Sequence, residues 1–121
     1  MTALKVYTLS NCDTCRKAVK WLRAHGVAFA ELAIRTTPPT EDELRTMLAA
    51  CGGERRKLFN TSGADYRAQS LGETLPTLSD AAALGLLAGN GNLVKRPFAI
   101  GAGVALVGFD EAAWTAALGK K

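Results

Sequence analysis

The sequence predicts an α/β fold in which a βαβ unit and a ββα unit are separated by a helical insert. Three observations predict it. A strand, an amphipathic helix and a second strand-like run follow one another between Leu4 and Ile34. Two apolar runs near the C-terminus flank a glycine-rich turn and read as a hairpin. The stretch between these units is cut by prolines and glycines into short segments of helical character.

Leu4 to Leu9 alternates around Val6 and is rich in strand formers, giving a short strand that ends at Ser10-Asn11. From Asp13 to Ala24, the apolar residues Ala18, Val19, Trp21 and Leu22 recur at helical spacing, with Arg16, Lys17, Lys20 and Arg23 opposite. His25-Gly26 stops that helix, because glycine takes the left-handed position after a helix at little cost. Val27 to Ile34 is the second strand, and a βαβ unit of this kind closes right-handed with its strands parallel. Pro38-Pro39 breaks the chain. Thr40 with Glu43 then forms a capping box that opens a helix through Cys51, ended by Gly52-Gly53. Glu54 to Phe59 and Asp80 to Leu87 look helical, whereas the polar stretch Asn60 to Leu71 carries no decisive pattern. Gly89-Asn90-Gly91-Asn92 is a turn signal. Phe98 to Ile100 and Val104 to Val107 form the hairpin around Gly101-Ala102-Gly103, and Asp110 caps a last helix from Glu111 to Leu118. The order βαβ, helices, ββα is the thioredoxin-like arrangement with a helical insert between its halves.

The chain has 121 residues, 48% of them hydrophobic and 21% charged, which is enough for one domain over residues 1–121 with a real core. Fifteen Lys and Arg against eleven Asp and Glu leave a net charge of +4. That mild excess favours anionic small molecules and lacks the density of a nucleic-acid-binding patch. The longest apolar stretch, Ala99 to Phe109, is interrupted by glycines and falls short of the ~20 residues a membrane helix needs. The Met-Thr-Ala-Leu-Lys-Val-Tyr start lacks the pattern of a secretory signal. Three cysteines are too few for a disulfide framework, so a reducing cytoplasm is expected.

The sharpest feature is Cys12-Asp13-Thr14-Cys15, at the step from the first strand into the first helix. The thiolate is the reactive form of cysteine, and a helix N-terminus stabilises an anion through its unpaired N–H groups and partial positive charge. Cys12 falls at the cap, and Arg16 and Lys17 add positive potential one turn on. Cys15 lies near enough on the same helix end to attack a mixed disulfide formed on Cys12, so the pair suits two-step thiol–disulfide exchange. Zinc uses the same spacing, but a structural site needs four ligands, and only Cys51 and His25 remain, without paired spacing. Two cysteines that merely pack are the duller alternative. The βαβ context favours the redox motif, and no metal site is expected.

The second feature is Lys95-Arg96-Pro97, just ahead of the hairpin strand at Phe98. In a thioredoxin-like fold the residue at this place is commonly a cis-proline facing the nucleophile, which assigns Pro97 by position in the fold. Arg96 would then reach the Cys12 sulfur or an anionic group bound there, and its planar fork suits carboxylates and oxyanions. The alternative is a surface Lys-Arg pair before an ordinary trans proline.

Tyr7 through Leu22, Thr37-Pro38-Pro39-Thr40, Leu58-Phe59-Asn60-Thr61-Ser62-Gly63 and Leu93-Val94-Lys95-Arg96-Pro97 together resemble the arsenate reductase (ArsC) family, which also holds the YffB proteins and the Spx regulators. The resemblance implies a thioredoxin-like fold, a nucleophilic cysteine matching Cys12 and an anion-binding arginine matching Arg96. In enzymatic members it implies glutathione or glutaredoxin as reductant. The glutathione-dependent arsenate reductases carry two further arginines, where this chain has Asn60-Thr61 and Val107-Gly108-Phe109. An oxyanion wants several fixed donors, so their absence argues against efficient arsenate reduction. The Asn-Thr-x-Gly block and the Gly108-Phe109 ending look more like YffB, while the second cysteine, Cys15, is shared with Spx, a redox switch that binds the RNA polymerase α subunit.

The expected protein is therefore a thiol–disulfide oxidoreductase in which Cys12 attacks, Cys15 resolves, Arg96 supports the anion, and Asn11 and Pro97 shape the pocket. Arg16 and Lys95 are expected to contact the thiol substrate, and the stripe Arg16, Lys20 and Arg23 either docks glutathione carboxylates or is simply a solvated face. The expected partners are glutathione, glutaredoxin or thioredoxin, or a protein disulfide. No bound cofactor, direct nucleic-acid contact or membrane contact is expected. The competing expectations are a Spx-like regulator binding the RNA polymerase α subunit and a true arsenate reductase. Cys51 reads as a small buried hydrophobe, His25 as a helix cap, and Trp21 and Trp114 as packing residues. Asn60-Thr61-Ser62 matches a glycosylation sequon without a signal to expose it.

Overall fold

The computed structural model of the chain describes residues 4–10, 12–61, 63–101 and 103–118. Strands β1 (Lys5–Thr8), β2 (Ala30–Ala33), β3 (Phe98–Gly101) and β4 (Val104–Val107) form one sheet in the order β2-β1-β3-β4. β1 pairs with β2 in parallel, Val6 opposite Glu31. The β1–β3 and β3–β4 pairs are antiparallel, Val6 opposite Ala99 and Ala99 opposite Leu106. A parallel pair needs a crossover, and α1 (Asp13–Ala24) supplies it.

Each face of the sheet is covered, and the period-two alternation of strand side chains decides which residue serves which face. Leu4, Val6 and Ala99 pack with Ala18, Trp21 and Leu22 of α1 and with Trp114 of α6 (Glu111–Leu118). Tyr7, Phe98 and Ile100 pack on the other side with Leu44 and Met47 of α2 (Glu41–Ala50). The chain between α2 and the hairpin adds a 3-10 turn at Arg55–Leu58, α3 (Ala64–Ala68), α4 (Leu71–Thr74), a second 3-10 turn at Leu75–Thr77 and α5 (Asp80–Gly89). Leu58, Tyr66, Leu71, Leu75, Leu84 and Leu87 from these pieces complete that core. The thioredoxin-like α/β architecture with a helical insert is the one the sequence predicts.

Local differences have local causes. Only Ala30–Ala33 of the Val27 to Ile34 run is strand, since Val27 and Phe29 pack toward the α1 side and do not pair with β1. Glu54 to Phe59 forms only a 3-10 turn, and the patternless stretch from Asn60 contains α3. α3 is too short to display a helical period; Tyr66 fixes it by packing edge-on to Phe59, centroids 6.0 Å apart. Gly101 pairs with Val104 and so belongs to β3, whereas Ala102 of the predicted glycine turn lies outside the described residues. The turn signal after α5 is a 3-10 turn at Gly91–Leu93. The capping box of α2 forms as read, with Glu43 N–H donating to Thr40 Oγ1 at 3.2 Å and Thr40 N–H to Glu43 Oε1 at 3.1 Å. At the end of α1, His25 is the C-cap and Gly26 follows with φ +67°, the left-handed backbone that glycine adopts without strain. Among the described residues no helix is long and apolar enough to cross a membrane.

Candidate functional site

Cys12 is the N-cap of α1, with extended backbone at φ −106° and ψ 116°. Its N–H donates to Leu9 O at 3.1 Å, and its carbonyl accepts the first helical bond from Arg16 N–H at 3.0 Å. An N-cap side chain usually offers oxygen to the free N–H groups of the first turn. Here sulfur takes that place: Cys15 N–H donates to Cys12 Sγ at 3.2 Å. Cys12 is half-buried, and its sulfur faces the positive end of the helix.

Cys15 is 2% exposed. Burial pushes its thiol up to about 12, and a hydrogen bond to Cys12 and the Cys12 charge push the same way, while the Leu9 backbone and the Arg96 charge oppose them. The two cysteines therefore differ in kind: one sits at the surface on the helix cap, the other is held protonated behind it. Both are free thiols, as is Cys51.

Arg96 precedes β3, and the Arg96–Pro97 peptide bond is cis. Its guanidinium donates to Val94 O at 3.3 Å, and its charge is felt at Cys15. Pro97 is buried and its carbonyl accepts Gly108 N–H at 2.8 Å, which ties this loop to the end of β4. Phe59 and Val94 form an isolated antiparallel bridge, extended by Asn60 N–H to Leu93 O at 2.7 Å and Lys95 N–H to Leu58 O at 2.8 Å. The segments 58–60 and 93–95, distant in sequence, are thus adjacent strand-like neighbours.

Arg16 is exposed, paired with Asp13, and donates to Ser10 O at 3.1 Å. It walls a groove of about 470 Å³ that opens on Cys15 and is also lined by Lys20, Arg23 and Glu31. Glu31 is anchored by the buried Thr8 hydroxyl at 2.6 Å. The basic stripe of α1 is therefore both a solvated face and one wall of a groove at Cys15. Lys95 lies elsewhere, in the wall of a larger groove with Arg55, Arg56 and Lys57. That run, Arg55-Arg56-Lys57, carries a sequence signal of its own, three consecutive cations. Asn11 lies outside the described residues. Among the described residues, no group of three His, Cys, Asp or Glu is arranged to hold a metal ion.

The remaining singled-out residues are structural. His25 stacks on Trp21 with centroids 4.1 Å apart, its Nδ1 2.9 Å from Trp21 O. Trp114 is 1% exposed and donates from Nε1 to Gly108 O at 3.0 Å. Cys51 is the half-buried C-cap of α2 and packs against the larger core, and burial raises its thiol.

Residues 7–117 match the model of the ArsC family. The chain is 41% identical over 109 residues to the Bacillus subtilis protein YusI, covering 90% of this chain and 92% of that one. It is 29% identical over 108 residues to the global transcriptional regulator Spx of Streptococcus agalactiae serotype V, covering 89% of this chain and 77% of Spx. Its fold superposes on an ArsC family-related protein from Bacteroides fragilis with a TM-score of 0.87 and 35% identity, over 93% of this chain and 95% of the other. This protein therefore belongs to the ArsC family, in the branch that holds Spx and YffB.

Proposed function

We propose that the chain is a thiol–disulfide oxidoreductase of the ArsC/YffB type, working in the cytoplasm with glutathione or glutaredoxin as its source of electrons. The supporting observation is the half-buried Cys12 at the N-cap, its sulfur accepting the Cys15 N–H at 3.2 Å, with a buried second thiol beside it.

In the first step the Cys12 thiolate attacks one sulfur of a disulfide RS–SR′. A bond forms between Cys12 Sγ and that sulfur, the RS–SR′ bond breaks, and R′S⁻ leaves and takes a proton from solvent. In the second step Cys15 loses its proton to solvent and attacks Cys12 Sγ. The Cys12–Cys15 disulfide forms and RS⁻ departs. The substrate gains two electrons, the protein dithiol loses two, and two glutathione thiols or a reduced glutaredoxin restore them. The order of events is built into Cys15. Burial holds the Cys15 thiol up throughout, but the hydrogen bond to Cys12 and the Cys12 charge, which push the same way, are lost once Cys12 is bonded to substrate, while the opposing Leu9 backbone bond and Arg96 charge stay. Arg16, Lys20 and Arg23 would dock the carboxylates of a glutathione moiety in the groove at Cys15.

The test is to incubate reduced protein in parallel with glutathione disulfide, arsenate and a peptide disulfide, and to identify adducts by mass spectrometry. A glutathione adduct on Cys12, absent in Cys12→Ser and accumulating in Cys15→Ser, is the expected result. An adduct on Cys51 alone, or none, overturns the reading.

A second reading has its own support: the similarity to Spx covers 89% of this chain, and the cysteine pair is the feature the resemblance shares with Spx. On this reading the pair is a switch in a regulator that binds the RNA polymerase α subunit. Retention of the chain by that subunit that changes with reductant, with no turnover of small disulfides, would select it.

A further inference from the structure

We infer that the larger groove, walled by the Arg55–Leu58 turn, α4, Lys95 and the end of β4, binds a small organic anion: a phosphate or carboxylate carried on an apolar body. The groove measures about 780 Å³, within the ~300–1,000 Å³ span of small-molecule sites. It goes beyond the exchange reaction proposed for Cys12 and uses none of the residues of that reaction.

Four cations line it, Arg55, Arg56, Lys57 and Lys95, against one acid, Glu54. Two are already engaged. Arg55 Nε lies 3.4 Å from Asp80 Oδ1, and Lys57 Nζ lies 3.3 Å from Glu54 Oε1. Arg56 and Lys95 are exposed and have no carboxylate partner among the described residues. They come from separate segments, the 3-10 turn and the loop ahead of β3, so the groove gathers positive charge that the protein leaves uncompensated.

Lys95 is also oriented. Gly108 has φ +72°, and a Cβ placed on it would stand 2.9 Å from Lys95 Cε and 3.9 Å from Nζ. The lysine stem lies across bare glycine backbone, which aims the ammonium and lowers the entropy lost when an anion binds. The solvent-facing apolar part of the wall comes from the exposed Pro76 and the half-buried Val107, with the buried Phe59, Tyr66 and Leu75 behind them. An inorganic oxyanion would leave that part wet, and a neutral apolar molecule would leave Arg56 and Lys95 unpaired. An anion with an apolar body satisfies both.

The probe is naphthyl phosphate, titrated into nitrogen-labelled protein and followed by NMR, with naphthol and inorganic phosphate in parallel. The expected result is saturable shifts at Arg56, Tyr66, Lys95 and Val107, with weaker binding of both comparison compounds. Arg56→Ala and Lys95→Gln, the latter keeping the stem over Gly108, should each weaken binding roughly tenfold, the size of one charge-assisted hydrogen bond. Shifts confined to the Arg16, Lys20 and Arg23 groove overturn the inference. So do unchanged affinity in both variants, naphthol binding as tightly as its phosphate, or no saturable shift.

Discussion

Tyr7 and Glu43 meet through a 2.6 Å hydrogen bond in which the phenol hydroxyl donates to carboxylate Oε1. The other carboxylate oxygen takes the Lys5 ammonium at 2.6 Å, and the same side chain closes the capping box with Thr40. One carboxylate thus ties β1, the strand that leads into Cys12, to the first turn of α2. Burial alone would raise the Glu43 carboxyl, but the bonds from Lys5, Tyr7 and Thr40 outweigh it and hold the group below its ordinary 4.5. Burial and the same bond raise the Tyr7 phenol well above its ordinary range.

Glu43→Ala should therefore destabilise the fold by about 2 kcal/mol, because the Tyr7 hydroxyl, on a residue 2% exposed, loses its acceptor. Denaturant midpoints measure it. A carboxyl with a lowered folded pKa lends stability that is complete above its unfolded value, about 4.3, and disappears as pH falls through the lower folded value. The gap in stability between the native chain and Glu43→Gln should accordingly be constant near neutrality and narrow on acidification through that window. A gap that widens on acidification would contradict the network.

The contrast between the two cysteines predicts selective alkylation. In the folded, reduced protein, iodoacetamide near neutral pH should modify Cys12 first and leave Cys15 untouched, since burial and Cys12 push the Cys15 thiol up to about 12. Cys51, half-buried and likewise raised by burial, should react slowly. In denaturant all three should label alike. Peptide mapping reads the order directly, and equal labelling of Cys12 and Cys15 in the native state would refute it.

Much of this was legible before any coordinates. The helix N-cap at Cys12 and the capping box of Thr40 and Glu43 follow from short-range rules, because each depends on residues within one turn of each other, whereas the cis Arg96–Pro97 bond was legible only from its place in the fold. What the sequence hides is long-range. Nothing in the local pattern says that 58–60 pairs with 93–95, or that α3 exists at all, since Tyr66 is held by Phe59 and not by helical periodicity. Which groove a surface cation faces is equally hidden. Arg16 and Lys95 are alike as letters, yet one stands beside Cys15 and the other over Gly108.

The groove beside Cys15 makes a charge prediction. Replacing Lys20 and Arg23 together by Glu should slow reaction with glutathione disulfide several-fold while leaving a neutral disulfide such as hydroxyethyl disulfide unaffected. The native preference for the anionic disulfide should shrink as salt is added, because exposed charges are screened within about 10 Å at 0.1 M ionic strength. Equal slowing of both disulfides would mean the substitutions disturb α1 itself. Stopped-flow rates on the two substrates separate these outcomes.

Arg96 should act mainly on the second step. Its charge, like the Leu9 backbone bond, favours ionised Cys15, and both remain after Cys12 has been converted to a mixed disulfide. In Arg96→Gln, formation of the adduct on Cys12 from a neutral disulfide should proceed at close to the native rate, while its resolution by Cys15 slows several-fold, so that the mixed disulfide becomes visible in a mass-spectrometric time course. Raising the pH should recover resolution, since alkali ionises the Cys15 thiol that the guanidinium no longer helps to ionise. Arg96→Lys restores the charge but not the planar fork, and should recover resolution more fully than it recovers any binding that depends on a bidentate carboxylate contact. A variant that slows adduct formation and resolution by the same factor would place the arginine at the first step, holding the entering substrate.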